Sequence, residues 1–320
     1  MKIFTALDAI ADMPGTAVAL GNFDGVHLGH SELIRRTVRY AEENGIKSAV
    51  FTFSNHPQNV MAGRIVVKSI LSREDKIKAI GDLGVDYLYS IPFDDDFHAM
   101  QPQTFIDELL LQKFHAASVS CGFNFHFGKN ASGGSEFLRM AGESEHFDVE
   151  ILEPYVVEGN LVSSSLIRKL IEGGSVDVVE RYLGRRFFLR GKVVRGDRVG
   201  HELGFPTANM DIPETIVIPH DGVYASFCEV RGETRPAMTN IGFRPTVDGV
   251  RHVIETHVIE APGEDKVPDD FYGEEICVTF VSKLRDETTF NGKAGLSAQL
   301  DADRAAALKI LWLSPFDKTC

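Results

Sequence analysis

Residues Ala17-Val18-Ala19-Leu20-Gly21-Asn22-Phe23-Asp24-Gly25-Val26-His27-Leu28-Gly29-His30 decide the first half of the fold. The four leading apolar residues predict a short buried strand, and the glycines that follow predict a tight turn into a helix over residues 31–43. A strand that ends in a Gly-rich turn and a helix is the opening unit of a parallel α/β sheet. At that edge of an open sheet ligands bind, and a helix N-terminus there attracts phosphate.

The same rhythm continues outward. Residues 48–53 predict a second apolar strand, ended by Asn55-His56-Pro57. Residues 74–83 predict a helix and 85–91 a strand. Thr104 is placed to cap a helix running to Lys113, and 117–121 predict another strand. After Gly184 the rhythm changes. Residues 187–194, 222–230, 236–241, 253–259 and 275–284 are strand-like, with Gly, Pro and Asp clusters between them, which is the pattern of an antiparallel barrel or sandwich. A last helix is expected over 296–312. The boundary falls near Leu183-Gly184, giving domains 1–184 and 185–320.

Bulk properties are those of a soluble globular chain: 320 residues, 43% hydrophobic and 25% charged. No window holds the ~20 apolar residues of a membrane-spanning helix. The first residues show neither the basic patch nor the long apolar run of an export signal. A formal net charge of −13 weighs against nucleic acid as a partner. The four cysteines form no CxxC pair, so reduced thiols, a cytoplasmic location and no cysteine metal site are expected.

His27 and His30 are three residues apart and share one face of the first helical turn, where two imidazoles can donate to phosphate oxygens. Taken alone, the stretch is equally a strand-to-helix turn with two surface histidines. Ser163-Ser164-Ser165-Leu166-Ile167-Arg168 is a second helix start, with hydroxyls that can cap the helix or bond phosphate and a guanidinium suited to phosphate. Gly122-Phe123-Asn124-Phe125-His126-Phe127-Gly128 lies between them as an aromatic loop bounded by glycines.

In the second half, Gly196, Gly200 and Gly204 punctuate a stretch that ends Phe205-Pro206-Thr207-Ala208-Asn209. Such glycines allow a close-fitting loop over a ligand. Thr207 and Asn209, one residue apart on a strand, face one side and offer the hard oxygens that magnesium prefers. Asn240-Ile241-Gly242-Phe243-Arg244-Pro245-Thr246 closes a later strand. Glu255 then sits inside the apolar strand of residues 253–259, either facing solvent or held as a base beside a pocket.

Together the HxGH stretch at His27 to His30 and the serine-rich stretch at Ser163 to Arg168 resemble the signatures of the nucleotidylyltransferase superfamily. With the aromatic loop, they are similar to its bacterial FAD synthetase branch. Where that branch carries an FDPHP-like segment, this chain reads Phe53-Ser54-Asn55-His56-Pro57, so the acidic position is Ser54 and the first proline position Asn55. Ser165 replaces the usual threonine. The second half, from Gly196 through Phe271-Tyr272-Gly273 to Leu284-Arg285, resembles bacterial riboflavin kinase.

The order of the two halves matches the bifunctional riboflavin kinase/FMN adenylyltransferase family. The resemblance implies a Rossmann-like nucleotidylyltransferase domain and a six-stranded antiparallel barrel with a C-terminal helix. It implies riboflavin, FMN, FAD, ATP, ADP and pyrophosphate as substrates and products, with Mg2+ as cofactor and no obligate protein partner. It implies that Glu255 is the kinase base, that Thr207 and Asn209 lie near metal and phosphates, and that His27, His30 and Arg168 act in adenylyl transfer. Gly21, Asn22, Phe23, Asp24, Gly25, Gly29, Ser163, Ser164, Ser165, Gly196, Gly200 and Gly204 are then the further ATP contacts, and His56, Pro57, Asn124, Phe125 and Arg285 the flavin contacts. The alternatives are one silent site, a flavin-binding or flavin-sensing protein, or a nucleotidylyltransferase with another acceptor.

Overall fold

The computed structural model describes residues 1–7, 15–195, 205, 207–246, 249–260, 271–290 and 292–314. The strands are β1 Lys2–Phe4, β2 Thr16–Leu20, β3 Lys47–Phe53, β4 Tyr87–Ile91, β5 Ala116–Gly122, β6 His126–Phe127, β7 Gly133–Gly134, β8 Asp148–Leu152, β9 Val156–Val157, β10 Asn160–Leu161, β11 Phe188–Val194, β12 Ala208–Asp211, β13 Gly222–Val230, β14 Glu233–Thr246, β15 Gly249–Val258 and β16 Glu275–Arg285. The helices are α1 Leu28–Asn44, α2 Pro57–Ala62, α3 Arg73–Gly81, α4 Asp95–Ala99, α5 Pro102–Thr104, α6 Ser135–Glu145, α7 Ser164–Glu172, α8 Val176–Leu183 and α9 Lys293–Trp312.

The chain divides into two compact units, Met1–Ser164 and Ser165–Cys320. The first holds a six-stranded sheet in the order β1-β4-β3-β2-β5-β8, with every pairing parallel. Every residue of β2 is buried, as a central parallel strand covered on both faces requires. From β2 the chain winds to β3 and β4 on one side, then returns to β5 and β8 on the other. The turn leaving β2 therefore lies at the topological switch point, where the crevice of such a sheet opens. Val18, Leu20, Phe51, Tyr89, Phe105 and Phe114 join one core.

Three local features differ from the sequence reading. The helix expected to start at a Thr104 cap starts at Pro102, whose fixed φ and missing N–H suit the first turn, and Thr104 makes no cap. It continues as a π-helical stretch over Phe105–Lys113. Strand β8 alternates acidic and apolar residues and is only half-buried, so a search for apolar runs passes over it.

The second unit is a closed antiparallel barrel in the order β11-β12-β15-β14-β13-β16, with α9 packed on β13, β14 and β16. Ala225, Phe227, Met238, Val281, Ala307 and Leu311 form a core between barrel and helix. The unit begins earlier than Gly184 because α8 packs on β16 and the Ile171 carbonyl accepts the His220 N–H. Cys121 and Cys228 are free and buried, whereas Cys277 is disulfide-bonded, so the reduced-thiol expectation does not extend to it.

Candidate active sites

The first site is built on the turn between β2 and α1. Phe23, Gly25 and Val26 have φ of 50°, 81° and 40°, a left-handed course that only glycine adopts without strain. A Cβ on Gly21 would lie 2.8 Å from Phe23 Cζ, and one on Gly25 would lie 2.9 Å from Ile70 Cδ1, so both glycines are required by close packing. Asp24 is buried, and its Oδ1 accepts the Ile70 N–H at 2.9 Å, which suits a part in holding the turn.

His27 is the N-cap of α1: its Nδ1 accepts the His30 N–H at 3.3 Å. The two imidazoles stack with centroids 3.5 Å apart and planes 16° from parallel, and Phe23 meets His30 edge-on at 5.2 Å. Nδ1 of His30 is buried and has no hydrogen-bond partner among the described residues. Burial first, then the neighbouring His27 and Lys76, hold His30 well below the ordinary histidine range. At neutral pH His30 is therefore uncharged, and its one ring N–H can donate to an anion at the helix N-terminus.

The second signature meets the first through the backbone: Ser164 Oγ donates to the Asp24 carbonyl at 2.8 Å. Ser163 is half-buried just before α7. Ser165 and Arg168 count with the second unit, with the Arg168 guanidinium 3.4 Å from Ser165 Oγ. His56 is the N-cap of α2 and Pro57 its first residue. Asn55 clamps the backbone of Phe93, donating to its carbonyl at 3.0 Å and accepting its N–H at 2.7 Å. A proline there could make neither bond, so the departure at Asn55 has a structural function. Asn124 is exposed, and Phe125 is half-buried against Phe127 at 5.7 Å.

Sequence reading missed Lys76. It is 9% exposed on α3, and its Nζ donates to the Asn22 carbonyl at 3.3 Å, the Phe53 carbonyl at 2.7 Å and Thr52 Oγ1 at 3.4 Å. No motif signals it; only the fold brings α3 under the turn.

The second site is a cavity of about 320 Å³ in the barrel unit, lined among others by Thr207, Asn240, Phe243, Glu255, His257 and Arg285. The register explains the convergence. Glu255 on β15 is paired with Asn209 on β12 and with Asn240 on β14, so one row of three residues crosses three strands. Asn240, read from sequence only as part of a stretch that closes a strand, belongs to this row. Arg285 is held from behind: Nε and Nη2 donate to the carboxylate of Asp303 on α9 at 2.8–3.0 Å, and Gln299 donates to the same carboxylate. Gly196, Gly200 and Gly204 lie outside the described residues. Thr207 with its neighbours supplies hydroxyl, amide and carboxylate oxygens, the donor set of a magnesium shared with phosphates. Among the described residues, no group of three or more His, Cys, Asp or Glu could hold a metal by itself.

A switch-point turn with a stacked histidine pair, followed by a closed barrel with a carboxylate beside a cavity, defines a two-unit scaffold suited to phosphate chemistry. Family models for FAD synthetase and riboflavin kinase match residues 9–166 and 183–311. A Listeria monocytogenes protein named bifunctional riboflavin kinase/FMN adenylyltransferase is 36% identical over 288 residues, 89% of each chain. An Escherichia coli protein of the same name is 31% identical over 319 residues, 98% of this chain and 99% of that one. A solved structure named macrolide-efflux protein from Streptococcus pneumoniae superposes with a TM-score of 0.85 at 27% identity, over 96% of this chain and 99% of that one. The chain belongs to the bifunctional riboflavin kinase/FMN adenylyltransferase family. No helix among the described residues is long and apolar enough to cross a membrane.

Proposed function

We propose that the second unit phosphorylates riboflavin to FMN with ATP and that the first adenylylates FMN to FAD, releasing pyrophosphate. The observation that carries the reading is the Asn209–Glu255–Asn240 row beside the cavity, in a chain whose first half holds an intact histidine turn.

Riboflavin presents a neutral primary alcohol, so the kinase step needs a base. Glu255 is half-buried at the cavity wall and takes that proton as the alcohol oxygen attacks the γ-phosphorus. Thr207 and Asn209 would hold magnesium, which would neutralise phosphate charge when bound. Arg285, oriented by Asp303, fixes the flavin end of the cavity.

In the second reaction FMN phosphate is already ionised, so no base is required. His27 and His30 donate to the phosphates and offset the charge that builds on departing pyrophosphate. His56, Pro57, Asn124 and Phe125 form the flavin side. ATP and magnesium serve both reactions, in the cytoplasm, without an obligate protein partner.

The test is to incubate the pure chain with riboflavin, ATP and magnesium and to resolve the products over time. FMN followed by FAD is expected. FMN that accumulates without FAD would leave a kinase alone, and tight flavin binding without turnover would support a sensor.

A further inference from the structure

The buried ammonium of Lys76, given no role above, lies beneath the turn between β2 and α1. We propose that Lys76 is a positioning residue for adenylyl transfer: it ties together the ends of β2 and β3 beneath the phosphate-binding turn and supplies a fixed positive charge there. This rests on reading the first unit as an FMN adenylyltransferase.

The geometry accounts for a lysine rather than another residue. Three oxygens converge on Nζ: the carbonyls of Asn22 and Phe53 and the hydroxyl of Thr52. An ammonium has three hydrogens to give and nothing to accept with, so its donor count matches the oxygen count. Thr52 Oγ1 donates in turn to the Asn22 carbonyl at 2.9 Å. Asn22 precedes the left-handed turn Phe23–Val26, and Phe53 ends the neighbouring parallel strand. One side chain on α3 thus fixes both strand ends where the crevice opens.

The charges around it make the tie responsive. Burial brings Lys76 down to about 8; the attraction of Asp24 opposes that shift only in part, and the repulsion of Arg73 adds to it. His30, stacked on His27, feels the same positive charge. An anionic polyphosphate entering above the turn favours the charged lysine. Binding of ATP in this unit is therefore coupled to proton uptake near pH 8, and loss of the proton at higher pH loosens the turn.

Three measurements on the full chain test this. In the wild type, kcat/KM for FAD formation from supplied FMN should fall as pH rises through about 8 while FMN formation does not share that limb; a flat FAD profile from pH 7 to pH 9 overturns the proposal. Lys76→Met should lower FAD formation by ~10² at pH 7 through misplacement of the turn, with FMN formation unchanged, and Lys76→Arg, which keeps the charge and does not titrate, should recover part of the rate and lack the alkaline limb. FAD formation by Lys76→Met within about twofold of wild type overturns it. Calorimetry of ATP binding near pH 8.5 in buffers of different ionisation enthalpy should show proton uptake in the wild type that is absent in Lys76→Met; equal uptake in both overturns it. If the wild type makes no FAD at any pH, the adenylyltransferase reading fails, and the calorimetry still decides the lysine.

Discussion

Asn209 and Glu255 lie directly opposite each other on neighbouring antiparallel barrel strands. In such a pair the side chains stand on one face within reach of a shared ligand. A carboxylate so placed acts as a base only if its charge is needed. Glu255→Gln keeps the shape and loses the base, so FMN formation should fall by ~10²–10⁴ while FAD formation from added FMN continues. A raised riboflavin KM with near-normal kcat would instead make Glu255 a binding group.

His30→Ala removes one ring of the stacked pair at the start of α1. FAD formation should drop by ~10²–10³, the usual loss on deleting a positioned donor, and FMN formation should hold. Equal loss of both rates would point to misfolding instead.

The uncharged state of His30 also predicts how stability changes with pH. Its folded-state pKa lies well below 6.5, so as pH falls below 6.5 the unfolded chain takes up a proton that the native ring refuses. Stability of the first unit is lost over that window. His30→Gln does not titrate, so its melting temperature should gain on the wild type between about pH 7 and about pH 5. Parallel melting curves would contradict the assignment.

Asp303 is 4% exposed on its side chain and holds Arg285, which is 21% exposed. Asp303→Ala strands a partly buried guanidinium. It should cost about 3 kcal/mol in the barrel unit and weaken riboflavin binding, read by denaturant unfolding and by KM.

The helical pair α7 and α8 buries Ile167, Ile171, Val176, Val179 and Leu183. We expect a fragment that starts at Ser165 to be more stable than one starting at Arg185, and both to make FMN but no FAD. Identical melting of the two fragments would favour Gly184 as the boundary.

Much of the fold was legible because it is written locally. Residues 17–30 carry both the buried strand and the helix start, and residues 222–230 read directly as β13. Glu255 was legible because a carboxylate interrupts an apolar strand. What was not legible depends on residues far apart in sequence. Lys76 on α3 looks like an ordinary surface lysine until the fold places it under Asn22 and Phe53. Asn240 shows its place only through the β14–β15 register, and Asp303 sits on a helix whose burial is set by the barrel. His27 and His30 were placed on one face by spacing, but the uncharged state of His30 needed burial that the sequence does not report.

The two units also differ in how they end sideways. The barrel closes on itself, so every strand there has a neighbour on both sides. Among the described residues, the parallel sheet stops at β1 and β8, each with one neighbouring strand and one open flank of backbone donors and acceptors. Open flanks invite pairing with another chain. On β8, Asp148 accepts from Tyr40, and Glu150 pairs with Arg36 at 3.0 Å, so charges sit along that flank. The flank at β1 carries exposed Met1 and Ile3 beside Lys2 and has far less to discourage a visitor. Heat-driven clumping of this protein should therefore begin at its first strand, and a charged residue in place of Ile3 should delay the onset of turbidity without altering the flavin chemistry.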